Sequence, residues 1–261
     1  MKEKKNIFYS RTYRHLENRL SKGILYMFVL VIPVLLIFIL NIKNITVFMS
    51  ELAIYILSKE FKGVEFYKGE DHFSILGNIE FVSLPTVYPE ILFVLLNIIL
   101  VLSAVIFLNI GKKRGGALSI YFTAISLIHI INCIYFIFAS DFFPYTGSEY
   151  SNLYMKQQIS IWISFIVMAG LITGFVVNKG VIYKIVTFFS IVVYSLAFGI
   201  IRYIVFLYIV QKFSILYMVL LFFILGPFFD FLYFVTIYGL YINKMTKLLN
   251  NKLRGEEWLW S

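Results

Sequence analysis

Six stretches of about 18 to 30 residues, almost all apolar, dominate the chain and constrain its fold more than any other feature. A segment of about 20 apolar residues is long enough to cross the hydrocarbon core of a bilayer as a helix. The predicted spans are 24–41, 91–110, 117–139, 159–178, 181–210 and 213–242. Hydrophobic residues make up 61% of the sequence and charged residues 14%, which excludes a soluble enzyme or a disordered chain. The predicted fold is an all-α polytopic membrane protein with six transmembrane helices.

The distribution of basic residues predicts the orientation of these spans. With six crossings both termini lie on one side, and that side carries 16 Lys or Arg residues against six on the other. Cytoplasmic loops are enriched in basic residues, so the sequence predicts an N-in, C-in protein of a cell inner (plasma) membrane. The net charge of +9 is then mainly a topology signal, and no nucleic-acid partner is predicted.

Three segments lie outside the predicted membrane domain 24–242 or interrupt it. Segment 1–23 and the tail 243–261 are basic and amphipathic, which suits helices lying on an anionic inner leaflet, although ordinary solvated flanks have the same composition. The exterior loop 42–90 begins with a short apolar helix. Alternating residues around Lys68 to Asp71 then predict a small β-hairpin with its turn there. Acidic residues in this loop suit either a cation site or plain solvation; no cofactor or metal is predicted.

The third span carries a polar stripe at helical spacing. Its members are Ser119, Thr123, Ser126, His129 and Cys133, with Asn132 beside them. Such a face points into the helix bundle, because lipid offers no hydrogen-bond partners. One interpretation is a polar cavity in which His129 titrates, and the other is hydrogen bonding that holds helices together.

Two charges fall inside predicted spans, Arg202 and Asp230, and buried charges in a membrane mark candidate functional sites. Counted from a turn at Gln211-Lys212 along ideal helices, they differ in depth by about 12 Å. That offset favours separate roles over an ion pair, with Asp141, Gln157 and Gln158 as the expected partners of Arg202. In the fourth span, Gly170 and Gly174 form a small-xxx-small face and predict close helix packing.

The layout of residues 50–180 resembles the exosortase and archaeosortase group of membrane proteases and the membrane proteins associated with them. In that group an exterior strand-like loop leads into a helix with a nucleophilic Cys, followed by an Asn-x-x-Arg pair and a His. Here Leu84-Pro85-Thr86 enters the second span without a Cys, and Asn132-Cys133-Ile134-Tyr135 has Tyr instead of Arg. Gln157 and Gln158 stand roughly where the His would be. The resemblance therefore implies an accessory or degenerate member.

Three functions remain open from the sequence. The leading one is a non-catalytic subunit that scaffolds a cell-envelope processing or export assembly, with a membrane protein as its partner. The alternative is a transporter or channel component with a polar path along the third, fifth and sixth helices, although no internal repeat supports it. An intramembrane enzyme would need a nucleophile and an orienting acid, and the sequence offers only His129 and Cys133, so no catalytic residue is predicted.

Overall fold

The computed structural model describes residues 20–109, 117–175 and 181–257. It is mostly helical and contains one two-stranded antiparallel sheet in this part of the chain. The helices are α1 (Leu20–Tyr26), α2 (Ile32–Leu40), α3 (Ile42–Glu60), α4 (Ile91–Asn109), α5 (Ala117–Ala139), α6 (Gly147–Phe175), α7 (Val181–Lys212) and α8 (Gly226–Glu257). The strands are β1 (Tyr67–His72) and β2 (Asn78–Ser83). Two π-helical segments, Met27–Val31 and Leu220–Leu225, precede α2 and α8.

Among the described residues, four helical segments are long and apolar enough to cross a membrane: Ser21–Leu40, Ile120–Phe142, Gly147–Phe175 and Val181–Lys212. They correspond to the predicted first, third, fourth and fifth spans, and the protein is membrane-embedded. The segment Ile91–Phe107 is apolar but shorter. Six crossings therefore stay a prediction.

The helices at the predicted fourth and sixth spans differ in extent from those spans. Helix α6 begins at Gly147, far before residue 159, because its first three turns are polar yet pack inside the protein. The stretch 213–242 is not one helix. The chain breaks at Ser214, forms a 3₁₀ turn at Ile215–Tyr217 and a π-helical segment, and only then enters α8. Gly226-Pro227 directly follows the π-helical segment Leu220–Leu225, at the point where α8 begins.

The predicted hairpin in the loop 42–90 is confirmed, but its predicted turn at Lys68 to Asp71 is wrong. These residues lie within β1, where Gly69 pairs with Phe81 and the Phe81 ring covers the glycine. The connection is Phe73 to Gly77 instead, and there Gly77 adopts a φ of 85°, which an L side chain rarely takes.

The chain divides into two compact units. Unit 1 comprises 1–38, 161–196 and 231–261, and unit 2 comprises 39–160 and 197–230. Within unit 2 the hairpin packs on α3, which buries one face at helical spacing while β2 buries Ile79 and Val82. Thr46 of α3 accepts a hydrogen bond from the Glu80 backbone N–H at 3.2 Å. The expected apolar helix at the start of the loop is thus confirmed, as a support for the hairpin.

The predicted amphipathic segment 1–23 lies almost wholly outside the described residues, which begin at Leu20. The backbone of the predicted tail 243–261 continues α8 as far as Glu257. Residues 258–261 lie outside the described part.

Candidate site: a buried ion pair in unit 2

Arg202 of α7 and Asp230 of α8 form a direct ion pair. The guanidinium Nη1 lies 2.7 Å from the carboxylate Oδ2, and the two side chains are 2% and 4% exposed. The prediction of separate roles for these two charges is therefore wrong. At this burial the pair is shielded from the water and salt that weaken surface ion pairs.

The predicted difference in depth between the two charges is wrong because it assumes two ideal helices joined by a tight turn. Residues 213–217 form a non-helical connection and a 3₁₀ turn. Two α-helical residues follow, and the next six form a π-helix, which has more residues per turn than an α-helix. Arg202 lies ten residues before the end of α7, and Asp230 lies ten residues after the π-helix begins. The irregular segment therefore brings the two charges to the same level.

Gln158 of α6 completes the cluster. Arg202 Nη2 donates a hydrogen bond to Gln158 Oε1, as the sequence predicted, and Gln158 is 1% exposed. The guanidinium carbon lies 5.8 Å from the Tyr154 ring centroid and 5.7 Å from that of Phe198, so aromatic faces flank the cation. The other two expected partners lie elsewhere: Gln157 donates to the Phe222 carbonyl, and Asp141 is exposed and bonds Ser140.

A second set of buried polar side chains, one from α6 and one from α7, bonds the hairpin. Tyr203 is fully buried; its hydroxyl accepts the Val82 N–H at 3.0 Å and lies 2.7 Å from the Ser151 hydroxyl. Sequence reasoning missed these residues. The available signal for Ser151 was its spacing of seven residues from Gln158, which places both polar side chains on one face of α6.

The polar stripe of α5 faces the irregular segment before α8. His129 stacks on Tyr217 with ring centroids 5.6 Å apart, and Asn132 Nδ2 donates to the Leu216 carbonyl at 2.6 Å. Cys133 is fully buried. The side chain of Ser119 lies outside the described residues. These contacts match the interpretation in which the stripe holds helices together, since Asn132 bonds a backbone carbonyl in the 3₁₀ turn before α8.

The carboxylates of the hairpin region are engaged by lysines. Lys68 bonds Glu51 at 2.7 Å, and Lys156 of α6 bonds Asp71 at 2.6 Å. Among the described residues no group of three or more His, Cys, Asp or Glu side chains could hold a metal ion.

Asp71 ties the hairpin to α6, and this contact predicts a pH effect. Hydrogen bonds from Lys156, Asn152 and the His72 N–H lower the Asp71 pKa to about 2 from the usual 3.8. A lowered folded-state pKa means that the contact stabilises the protein fully above about pH 4, and that this contribution is lost as the pH falls towards 2. We expect the Asp71 carboxyl to titrate near pH 2 by NMR, and closer to its ordinary value in Lys156→Gln.

Lys68→Gln is the matched control, because Lys68 bonds Glu51 and Glu80 instead of Asp71. It should leave the Asp71 titration in place. An unchanged Asp71 pKa in Lys156→Gln would contradict the proposed cause.

Gly170 and Gly174, which form the predicted packing face of α6, lie against the N-terminal helical segment within unit 1. A Cβ atom on Gly170 would lie 2.5 Å from Val31 Cγ2, and one on Gly174 would lie 3.0 Å from Tyr26 Cδ1. The two glycines therefore let α6 approach the N-terminal helical segment more closely than any larger residue permits.

We expect Gly170→Ala to lower the free energy of unfolding by about 1–3 kcal/mol through overpacking, partly offset by about 1 kcal/mol of helix propensity. Gly239→Ala is the control, since a Cβ there meets nothing within 4 Å. That change should stabilise α8 by up to about 1 kcal/mol. Unfolding titrations in detergent measure both, and equal effects at the two glycines would refute the packing role.

Comparison with known proteins found no matching family model, no matching curated protein and no matching solved structure.

Proposed function

We propose that the chain is a non-catalytic membrane subunit that scaffolds a cell-envelope processing or export assembly. The observation that carries the proposal is that the buried polar groups of unit 2 bind one another or the backbone. Arg202 binds Asp230 and Gln158, and Asn132 binds a backbone carbonyl. Groups that act on a substrate have to be available to it, whereas these groups hold helices to one another.

The best nucleophile candidate also lacks the surroundings that activate a thiol. Cys133 is fully buried, and His129, one turn before it, stacks on Tyr217 instead of being oriented by an acid. These features support an accessory role. They agree with the resemblance to exosortase-associated proteins, because a member without the nucleophile would be an accessory protein.

The proposal includes six crossings, both termini in the cytoplasm, and residence in a bacterial inner membrane with its basic tails on the anionic leaflet. Single cysteines placed in a Cys133→Ala background test it. An impermeant thiol reagent added from outside should label Glu70→Cys and Ser148→Cys but not Lys113→Cys or Lys179→Cys. Labelling of Lys113→Cys from outside would overturn the orientation.

Purification in mild detergent tests the scaffold itself. We expect a membrane-protein partner to co-purify stoichiometrically, and His129→Gln to retain it equally between pH 5 and 8. The paired variant Arg202→Leu/Asp230→Leu should also retain the partner, because it removes both charges together. Absence of any stable partner would overturn the proposal.

The transporter or channel alternative draws on one observation, a charge pair inside membrane helices. It predicts that purified protein in liposomes moves a solute or protons, and that Arg202→Leu/Asp230→Leu abolishes this movement while the protein stays folded. Such a result would replace the scaffold proposal, whereas silent liposomes would eliminate the alternative.

A further inference from the structure

Three lysines gather at one end of unit 1. Lys22 lies in the first turn of α1, Lys184 in the first turn of α7, and Lys244 on α8. Lys22 lies close enough to Lys184 for their charges to repel. Lys244 Nζ lies 4.7 Å from the ring centroid of Tyr183, the neighbour of Lys184 in sequence.

No acidic side chain compensates these lysines within the described side chains of unit 1. Segments 20–38, 161–175, 181–196 and 231–244 contain no Asp or Glu at all. In unit 2, by contrast, Lys68 and Lys156 each bond a carboxylate. An uncompensated basic cluster at the end of apolar helices attracts an anion from the adjoining medium.

The buried and exposed lysines have different parts in the cluster. Lys184 is buried, and its Nζ donates to the Gly174 carbonyl at 3.1 Å, in the last turn of α6. That bond fixes its charge at the helix end and leaves further N–H groups on the ammonium. Lys22 and Lys244 are exposed and can reach a ligand from outside.

A tyrosine hydroxyl supplies an independent sign of a missing ligand. Tyr241 is 5% exposed and packs on Tyr183, Tyr238 and Ile242, yet its hydroxyl has no hydrogen-bond partner in the described part of the chain. Buried hydroxyls are nearly always hydrogen-bonded, so this one calls for an acceptor. Tyrosines around a basic cluster are also typical of a membrane–water interface.

We propose that Lys22, Lys184, Lys244 and Tyr241 form a site for the phosphate group of an anionic phospholipid at one end of unit 1. Phosphate oxygens accept hydrogen bonds from ammonium and phenol groups, and the acyl chains lie along the apolar helix faces beside the site. The lipid holds the first turns of α1 and α7 together by neutralising the repulsion between Lys22 and Lys184, and Lys244 ties it to α8. This proposal does not depend on the scaffold function.

The experiment measures the unfolding temperature in neutral detergent micelles supplied with equal amounts of phosphatidylglycerol or phosphatidylcholine. We expect phosphatidylglycerol to raise it and phosphatidylcholine to leave it nearly unchanged, with the difference shrinking at high salt. In Lys22→Gln/Lys244→Gln the apparent affinity should fall about 25-fold, since each basic residue near an anionic surface contributes a factor of roughly five. Tyr241→Phe should weaken binding less.

Lys59→Gln/Lys212→Gln is the matched control. Both lysines are exposed and lie over tyrosine rings, 4.5 Å from Tyr55 and 5.1 Å from Tyr208, but they belong to unit 2. The control should keep the full response to phosphatidylglycerol. Equal responses in the two paired variants would overturn the site. Inorganic phosphate that reproduced the whole effect in phosphatidylcholine micelles would overturn its assignment to a lipid.

Discussion

Asp230→Leu is expected to lower the free energy of unfolding by about 3–5 kcal/mol, because it leaves the Arg202 guanidinium buried without its counter-charge. Arg202→Leu should cost a similar amount for the reverse reason. The double variant Arg202→Leu/Asp230→Leu removes both charges and should recover most of the loss. A residual cost of about 1–3 kcal/mol is expected, since Gln158 then loses the donor to its buried oxygen.

A double-mutant cycle in detergent measures this coupling, and an exposed ion pair gives the reference. Lys68 and Glu51 are also 2.7 Å apart, but their side chains are 42% and 57% exposed. Their coupling should be below about 1 kcal/mol, because water and salt screen the charges. Additive effects at Arg202 and Asp230 would show that the buried pair contributes no more than the exposed one.

Trp162→Ala in unit 1 is the second change with a large expected effect, about 3–5 kcal/mol of unfolding free energy. The indole is 1% exposed, meets the Phe38 ring edge-on at 5.9 Å and donates to the Ser195 carbonyl at 2.9 Å. Removing it leaves a cavity and takes away the indole N–H that the Ser195 carbonyl accepts. Trp162→Phe should cost less, because it keeps the packing and removes only the donor.

Phe138→Ala is the comparison for this substitution. Phe138 is 82% exposed, so the alanine variant opens no cavity. Its unfolding curve should nearly overlay that of the unchanged protein. A loss at Phe138 as large as that at Trp162 would mean that this exposed ring has a contact beyond the single chain.

Six of the polar residues that the sequence singled out are buried, namely His129, Asn132, Cys133, Gln158, Arg202 and Asp230, but their partners were only partly predictable. Hydropathy marks Arg202 and Asp230 as charges in apolar stretches, and spacing marks Gly170 and Gly174 as a packing face. The partner of Arg202 depends on the irregular path of residues 213–225, and neither a 3₁₀ turn nor a π-helix has a distinct hydrophobic period.

Two other errors have equally local causes. A hydropathy window detects only apolar stretches. It therefore misses the first three turns of α6, which are polar in sequence although they bury Tyr150, Ser151 and Gln158. In the hairpin, Gly69 and Gly77 are both turn candidates by residue type. In the structure Gly69 lies in β1, paired with Phe81, whose ring covers it. This is a cross-strand contact, and residue type alone does not predict it.

The buried ion pair also imposes an order on biosynthesis. Gln158 precedes Arg202 by 44 residues, so its side-chain amide has been synthesised before the guanidinium that it binds. Asp230 follows 28 residues later, which takes about 1.5–6 s at translation rates of about 5–20 residues per second. During that interval Arg202 lacks its carboxylate, and Gln158 is the cluster partner that has already been synthesised.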